Sequence, residues 1–378
     1  MFIETHVIQN FAPSNLNRDD TGNPKDTEFG GARRARISSQ CIKRSIRLHP
    51  AFAEATQVDL GVRTRWVSRL VTQALLEGRK PPEQAQAVAN AFASHLVKVD
   101  EKKGGDKDEG RTKVLLYLSS GEIEAVAEGL MAQWDVLVNE LENGKSGRIE
   151  EMAESVSKDW KKRTSAPDIA LFGRMLAERP ELNIDAACQV AHAISTHRAN
   201  MEMDFYTAVD DLSKDEETGA GMMGVTGFNS ACFYRYSCVQ WEQLVANLNG
   251  DTSLARKTVE GFLRATALAI PTGKQTSFAA QNVPDFLLGV VREDGQAWSL
   301  ANAFETPVRP NREGGLVRPS VERLDDYWGR LAKVYGGQRL HPVALALSND
   351  LQLTNLGAVL TRSLDAWVGS LIGFLPGA

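Results

Sequence analysis

The chain has few cysteines, no long apolar run, and no charged segment ahead of an apolar one at its start. Its 378 residues include four cysteines, at positions 41, 188, 232 and 238, without a CxxC pair or another metal-ligand spacing. This usage is typical of a reducing compartment. No stretch approaches the roughly eighteen apolar residues of a membrane span, and MFIETHVIQNF lacks the pattern of a signal peptide. We therefore expect a cytoplasmic protein with no membrane partner.

Acidic side chains are absent from residues 29–47, FGGARRARISSQCIKRSIR, although the whole chain has a formal net charge of −5 and a pI of about 5.8. The basic side chains of this run are Arg33, Arg34, Arg36, Lys43, Arg44 and Arg47. Such a local surplus of positive charge predicts a polyanionic partner. Charge alone leaves a second interpretation open, namely a solvated helix face that binds nothing.

The same run has the local signals of a strand followed by a helix. A Gly-Gly turn precedes the basic segment 32–37, and Ser38, Ser39 and Gln40 offer capping groups before a helix over 41–47. The beginning of a helix carries backbone N–H groups without helical partners. With hydroxyl groups and basic side chains beside it, such a helix start predicts a phosphate site.

Hydrophobic periodicity predicts a mixed α and β chain without internal repeats. Alternation over 2–11 predicts a first strand. Apolar spacing of three and four predicts helices over 62–77, 82–99, 119 to about 134, 150–162, 185–197 and 255–269. Further strands are predicted over 205–212, 229–239 and 275–291, with a polar, glycine-rich tip between the first two. The order predicts an α+β fold and is compatible with a split βαβ core.

Two motifs that suggest other chemistry are weak. The GxGxxG match at 219–224 follows an acidic run instead of a buried strand, so a flexible hairpin tip is favoured over a dinucleotide site. His192 and His197 are five residues apart and would lie on different sides of the predicted helix. Core or surface histidines are therefore favoured over zinc ligands, which need one face.

The aspartate pairs at 19–20 and 210–211 suggest a catalytic metal site. Two carboxylates can bind a divalent ion and activate water for phosphodiester cleavage. Adjacent aspartates in loops more often shape turns by accepting backbone N–H groups. We therefore expect no metal, no cofactor and no enzymatic activity.

Residues 14–47, SNLNRDDTGNPKDTEFGGARRARISSQCIKRSIR, resemble the N-terminal signature of CasC. This family (CRISPR-associated family seven) supplies the backbone subunit of type I-E CRISPR Cascade complexes. The resemblance continues, in the family's order, in AHAISTH (191–197), DFYTAVDDL (204–212), FNSACFYRY (228–236), IPTGKQTSFAA (270–280) and SLANAFE (299–305).

The resemblance implies a fold with three parts. An RRM-like (ferredoxin-like) palm is expected over residues 1–55 and 185–378. A helical fingers domain is expected to be inserted at 56–184. A β-hairpin thumb is expected over about 203–232, within the C-terminal part of the palm.

The resemblance also implies the site residues. Contacts to RNA are expected from Asn17, Arg18, Lys25, Arg34, Ser38, Gln40, Lys43, Arg44, Arg47 and Lys274. A base is expected to be displaced by the thumb residues Phe205, Tyr206 and Thr207, with help from Met175 in the fingers. The other aromatic residues of the hairpin region, Phe233, Tyr234 and Tyr236, are expected to be mostly core.

The function that follows is a non-catalytic scaffold in antiviral defence. Copies of the chain are expected to polymerise head to tail along a guide CRISPR RNA, holding its phosphates and leaving its bases to pair with target DNA. The other expected partners are the end-capping, small and large Cascade subunits. Two alternatives remain open: a metal-dependent ribonuclease that cuts RNA bound in the same groove, and a free-standing RRM-like RNA binder.

Overall fold

The computed structural model describes residues 1–98, 110–159, 164–208, 222–312, 314–336, 339–348 and 351–377. The chain divides into two compact units. The first unit consists of Met1–Ala55, Gln189–Val239 and Val259–Ala378, and the second of Thr56–Cys188 and Gln240–Thr258. The second unit thus includes a short segment, 240–258, that the sequence placed in the palm.

The first unit is built on a sheet whose central strand is the N-terminal segment. Its strands are β1 (Phe2–Ser14), β2 (Asp26–Phe29), β3 (Ala32–Ile37), β6 (Cys188–Val190), β7 (Ala193–Ser195), β8 (Glu202–Ala208), β9 (Met222–Gln240), β10 (Phe286–Arg292), β11 (Leu340–Ala346) and β12 (Leu360–Thr361). Its helices are α1 (Ser39–Leu48), α2 (Pro50–Thr56), most of α10 (Thr252–Leu268), α11 (Gln275–Phe278), α12 (Val317–Tyr335) and α13 (Leu364–Gly373). Short 3-10 turns occur at Ala301–Phe304 and Gly357–Val359.

The strand order among the described residues is β12–β11–β10–β1–β9–β7–β3–β2, while β6 and β8 pair with β9 outside that order. Strand β1 runs antiparallel to β10, with Ile8 opposite Phe286. Strand β7 joins the basic strand β3 to β9, because Ile194 lies opposite both Arg36 and Tyr234. The basic segment is therefore part of the main sheet and not a separate arm.

Both faces of this sheet are covered. On one face Ile8, Tyr234 and Leu288 pack into a core with Phe304 and with Trp328 of α12. On the other face α13 covers β10 and β11, where the Trp367 Nε1–H donates to the Val343 carbonyl over 2.9 Å. Gly289 allows the close contact there, since a Cβ would lie 2.3 Å from Leu371. Successive side chains of a strand point to opposite faces, so the nearly continuous burial of β1, which includes polar residues, and the buried apolar run of β10 both follow from this double cover.

A buried ion pair crosses β1 and β10 at the end of the sheet. Arg292 Nε lies 2.8 Å from Glu4 Oε1, and the two side chains are 3% and 0% exposed. The Trp298 N–H donates to the second carboxylate oxygen over 2.6 Å. Burial raises the pKa of Glu4, and Arg292 counteracts that rise. Burial also lowers the pKa of neighbouring His6 to about 3, so its imidazole is neutral at pH 7.

The second unit is mainly helical. Its elements are β4 (Val62–Thr64), α3 (Val67–Glu77), α4 (Pro82–Leu96), β5 (Leu116–Leu118), α5 (Ser120–Ala132), α6 (Trp134–Glu142), α7 (Gly147–Asp159), α8 (Pro167–Phe172), a 3-10 turn (Pro180–Leu182) and α9 (Trp241–Asn247). Apolar side chains of α3 to α7 form one core, which includes Leu75, Phe92 and Leu130. Ser119 and Glu122 form the predicted cap of α5, and Glu122 also binds buried Arg174 at 2.7 Å.

Two predicted elements are wrong. The segment 185–197 is not a helix but contains β6 and β7, because it is held by pairing with β9 and β3. The predicted strand over 275–291 begins instead with the short helix α11, and only Phe286–Arg292 is a strand. The helix predicted over 62–77 also starts later, since Val62–Thr64 pairs with β5. The predicted first strand and the capped basic helix are confirmed.

We predict that the ion pair between Glu4 and Arg292 is needed as a pair. Arg292→Met should lower the free energy of unfolding of the first unit by about 3–5 kcal/mol, because it leaves a buried carboxylate without its counter-ion. Removing both charges with Glu4→Gln and Arg292→Met should restore most of that loss. Chemical denaturation measures both effects.

The exposed pair of Arg318 and Glu322, at 2.8 Å, provides the matched control. Arg318→Met should cost less than about 1 kcal/mol, because solvent screens this pair. A loss in Arg292→Met as small as that of the control would contradict the prediction.

Candidate nucleic-acid interface

The loop between β1 and β2 is shaped by the Asp19 carboxylate. One of its oxygens accepts the Thr21 N–H at 2.9 Å, the Thr21 hydroxyl at 2.8 Å and the Asn23 N–H at 2.9 Å. The hydroxyl bond from Thr21 is the main reason that the pKa of Asp19 lies below its ordinary value. These bonds are therefore complete at neutral pH and are lost only as the pH falls through that lowered pKa. The loop is held with Arg18 exposed beside it.

The beginning of α1 differs from the prediction of free N–H groups. The Ser38 hydroxyl caps the helix by accepting the Cys41 N–H at 3.3 Å, as predicted. The Ser38 N–H itself donates to Asn17 Oδ1 at 2.8 Å, and the Ser39 N–H donates to His192 Nδ1 at 2.9 Å. Three N–H groups are thus already bound, so side chains must supply most of any phosphate contact here.

The basic side chains of α1 lie along its polar side. Ile42 and Ile46 are buried, while Lys43 and Arg47 are half-buried and Arg44 is exposed, as is Gln40 one turn earlier. This distribution is that of an amphipathic helix, whose cationic groups extend from an apolar base to the surface.

Further cations lie near the beginning of α1. Lys25, which is half-buried, accepts the Arg36 N–H with its carbonyl at 2.9 Å. The pKa of exposed His192 is lowered, first by desolvation and then by the charges of Arg36 and Lys25. This electrostatic effect places all three groups in one neighbourhood. A neutral imidazole is also what the bond from the Ser39 N–H requires.

Arg34 does not belong to this surface. Its side chain is fully buried, and its guanidinium donates to the carbonyls of Phe29, Ser195, Phe304 and Glu305 over 2.8 to 3.2 Å. This geometry contradicts the predicted RNA contact, because the donors already bind backbone oxygens inside the protein. Arg33 is exposed but pairs with Asp26.

A groove of about 620 Å³ lies where three segments of the first unit meet. The loop 15–25 supplies Arg18, the turn before α11 supplies Lys274, and the base of the hairpin β8–β9 supplies Tyr206. The other lining residues are Thr21, Gly22, Asn23, Val225, Thr226 and Gly227. Lys274 has a left-handed backbone with φ 51°, which is uncommon for a residue with a Cβ. Two cations and one aromatic ring at a single groove suit a phosphate chain with bases attached.

The hairpin carries an aromatic pair at its surface. Phe205 and Tyr206 are 61% and 45% exposed, and Thr207 beside them is also exposed. Residues 205 and 206 lie opposite Val225 and Gly224 on β9. A Cβ on Gly224 would lie 2.3 Å from the Tyr206 ring, so the ring lies across the backbone of the glycine. Farther along β9, Phe233 and Tyr234 are buried, as predicted for core residues.

Met175 belongs to the second unit and is 86% exposed. Its neighbours Arg174 and Leu176 are buried, at 5% and 3% exposure. Arg174 is fixed by Glu122, and the Leu176 N–H donates to Asn183 Oδ1 at 2.6 Å. The apolar side chain of Met175 is thus exposed to solvent, while the residues on either side of it are held by buried contacts.

Comparisons with known proteins identify the family of the chain. The family model described as CT1975-like protein matches residues 3–369. The chain belongs to the CT1975-like protein family. A solved chain of a "CRISPR RNA-guided surveillance complex, pre-nicking" is similar, with a TM-score of 0.85, 32% identity and 99% of each chain covered. A chain of another "CRISPR RNA-guided surveillance complex" has a TM-score of 0.75 and 27% identity, and covers 99% of this chain and 100% of that one. A comparison with curated proteins gave no match.

At this level the resemblance found in the sequence is confirmed: this CT1975-like protein is similar to subunits of CRISPR surveillance complexes, and its fold is α+β. Type I-E stays a prediction, and so do the RNA contacts. The aspartate pair 210–211 and residues 219–221 of the glycine motif lie outside the described residues.

His192 and His197 have structural partners in this member of the family. His197 Nε2 accepts the Cys232 N–H at 3.2 Å, and neither histidine lies on a helix.

Among the described residues, no group of three or more His, Cys, Asp or Glu side chains could hold a metal ion. No described helix is long and apolar enough to cross a membrane.

The sequence did not identify several residues of the groove. Thr21, Asn23 and Thr226 are ordinary polar residues in loops or strands, and only the fold brings them together. The glycines carry the one available signal: Gly227 and Gly273 lie where a Cβ would meet another backbone or side chain at 2.6 and 2.3 Å.

Proposed function

We propose that this chain is the non-catalytic backbone subunit of a type I-E CRISPR Cascade surveillance complex in the cytoplasm. The observation that carries the proposal is the similarity over 99% of both chains to a subunit of an RNA-guided complex. The basic groove of the first unit supports it, because a guide RNA is a polyanion. We propose further that the first unit is the palm, that the second unit is the fingers domain, and that β8–β9 is the thumb.

The proposed palm is RRM-like. The order β10–β1–β9–β7 is that of a split βαβ core, with α1 following the first strands and α10 connecting β9 to β10. An RRM binds bases on the open face of its sheet. Here the corresponding residues, among them Tyr234, are buried beneath Phe304 and α12. RNA is therefore proposed to follow the loops and α1 at the edge of the palm.

The proposed contacts are to phosphates and sugars. Cationic side chains of the loops and of α1 neutralise phosphates, and polar side chains beside them donate further bonds; the set is Arg18, Lys25, Lys43, Arg44, Arg47, Lys274, Asn17, Ser38 and Gln40. Such contacts fix the strand without reading its sequence. A carrier of many different guides needs that property, since base pairing with target DNA then supplies the specificity.

Exposed residues of the hairpin and of the second unit are proposed to displace a base. Phe205, Tyr206 and Thr207 are presented by the hairpin, and Met175 is presented by the second unit. Aromatic and apolar side chains of this kind stack against bases or separate them. Successive copies are proposed to bind head to tail, with end-capping, small and large subunits completing the complex.

We expect phosphate contacts to appear in the salt dependence of RNA binding. Lys43→Ala and Arg47→Ala should each weaken binding equally for RNAs of different sequence. Each should also reduce the slope of log affinity against log salt by about 0.7 per lost phosphate contact. Titrations at several salt concentrations measure both quantities. The exposed Lys333→Ala on α12 is the control and should leave the slope unchanged. A sequence-dependent loss would show that these residues read bases.

We expect assembly to require the tip of the hairpin, residues 209–221. Ala208 lies opposite Met222, so residues 209–221 can be replaced by an Asn-Gly turn without changing the register of β8 and β9. Single copies of this variant should still bind a short RNA, while regular binding of several copies along a longer RNA should fail. Mass measurement of complexes on RNAs of increasing length checks this. Full-length complexes formed normally by the variant would contradict the thumb assignment.

We expect Asp19 to be structural. Asp19→Ala should weaken RNA binding several-fold, because the loop loses three bonds to the carboxylate, whereas Asp20→Ala should have a smaller effect. RNA bound to the wild-type protein should stay uncut for hours with Mg²⁺ or Mn²⁺, as analysed on denaturing gels. Metal-dependent cuts that disappear in either variant would replace the scaffold by the ribonuclease alternative.

A further inference from the structure

Asn15 lies behind the groove and holds two of its segments at once. The residue is fully buried. Its Nδ2 donates to the Gly22 carbonyl over 3.0 Å and to the Gly227 carbonyl over 2.8 Å. Gly22 belongs to the loop of Arg18, and Gly227 belongs to the strand that lies opposite Tyr206. A single amide group therefore ties the basic loop to the base of the hairpin.

The segments around Asn15 are in direct contact. A Cβ on Gly227 would lie 2.6 Å from Asn23 Oδ1 and 3.2 Å from Pro24 Cδ. A Cβ on Gly273 would lie 2.3 Å from the Leu16 carbonyl oxygen, which brings the turn of Lys274 against the same place. Because the glycines leave no space for a side chain here, a displacement of one segment is transmitted to the others.

The acceptor of the same amide has no partner. Asn15 Oδ1 is buried and makes no hydrogen bond to the described residues. An unpaired buried acceptor is unfavourable. The unpaired Oδ1 therefore lowers the stability of the fold. The Nδ2 group of the same side chain is suited to the site, because it donates two hydrogen bonds in a fixed geometry.

We infer that Asn15 is a positioning residue, which couples the loop of Arg18 to the hairpin of Tyr206 so that both side chains act on one bound strand. The inference rests on the proposed RNA-binding function. Asn15 touches no ligand itself, because it is buried beneath the two carbonyls that it binds.

A double-mutant cycle tests this coupling. The affinity for a single-stranded RNA is measured for Arg18→Ala, Tyr206→Ala and the double variant. In the wild-type background the combined loss should differ from the product of the single losses by about threefold or more, as for residues that interact. In the Asn15→Ala background the two losses should multiply within about twofold, as for independent sites.

Asn247 offers a matched control. Its Nδ2 also donates to two carbonyls, those of Ala170 at 2.9 Å and Asp185 at 2.8 Å, and the residue is 2% exposed. Asn247→Ala removes a corresponding pair of bonds within the second unit, together with the bond that Asn247 Oδ1 accepts from Gln243 Nε2 over 2.8 Å. It should lower thermal stability at least as much as Asn15→Ala and leave the coupling between Arg18 and Tyr206 intact.

A measurement without RNA separates this inference from the proposed function. In Asn15→Ala, amide hydrogen exchange should become faster both in 18–24 and in 224–228, and Asn247→Ala should not change either segment. If Asn15→Ala does not fold, Asn15→Ser, which keeps one donor, takes its place. Coupling that is absent in the wild-type protein or survives in the Asn15 variant, or unchanged exchange, overturns the inference. Failure of the wild-type protein to bind RNA overturns the proposed function instead.

Discussion

The buried guanidinium of Arg34 holds the basic hairpin β2–β3 to the body of the first unit. It donates to carbonyls of Phe29, Ser195, Phe304 and Glu305. A buried cation that leaves such partners would be uncompensated, so the arrangement resists displacement. Gly30 completes the contact, because a Cβ there would lie only 1.8 Å from the Glu305 oxygen. Strand β3 leads directly into α1. The position of the basic side chains of α1 therefore depends on the contacts of Arg34.

The double cover of the sheet decides where a ligand can bind. Phe304 and α12 close one face, while α13 closes part of the other. The polar groups of the proposed interface are instead in the loop 15–25, the turn at Lys274, the hairpin β8–β9 and α1. The proposed interface is therefore built from segments that are distant in sequence. Under that proposal, function depends on the buried contacts that hold these segments as well as on the exposed cations.

Much of the local structure could be predicted from the sequence. Ser38 before an apolar spacing of four predicts the beginning of α1, and Ser119 with Glu122 predicts that of α5, since both signals act within one turn of helix. The segment 185–197 could not be predicted, because its short strands exist only through pairing with distant partners. Its apolar residues also fit a helical period.

Whether a basic residue is buried or exposed could not be predicted from its place in the basic run. Arg34 lies between Arg33 and Ala35 in a run that has basic but no acidic side chains. Nothing local in the sequence distinguishes Arg34 from its basic neighbours. The alternation of a strand places Arg33 and Arg34 on opposite faces, so one of them had to point inward. Which one did so depends on the carbonyls of 195 and 304–305. The sign of the neighbouring charges in a run is thus a poor guide to whether a basic residue is exposed.

The charge distribution constrains how the proposed assembly can be held together. The chain carries a formal net charge of −5, yet its groove is basic. Screening limits electrostatic forces to about 8 Å at physiological ionic strength, so a bound phosphate responds to Arg18 and Lys274 and not to the net charge. Two copies, both acidic overall, gain nothing from long-range attraction to each other. In the proposed assembly, cohesion between copies therefore has to come from short-range packing and from the RNA that they share, and the shared strand is proposed to favour head-to-tail order over free copies.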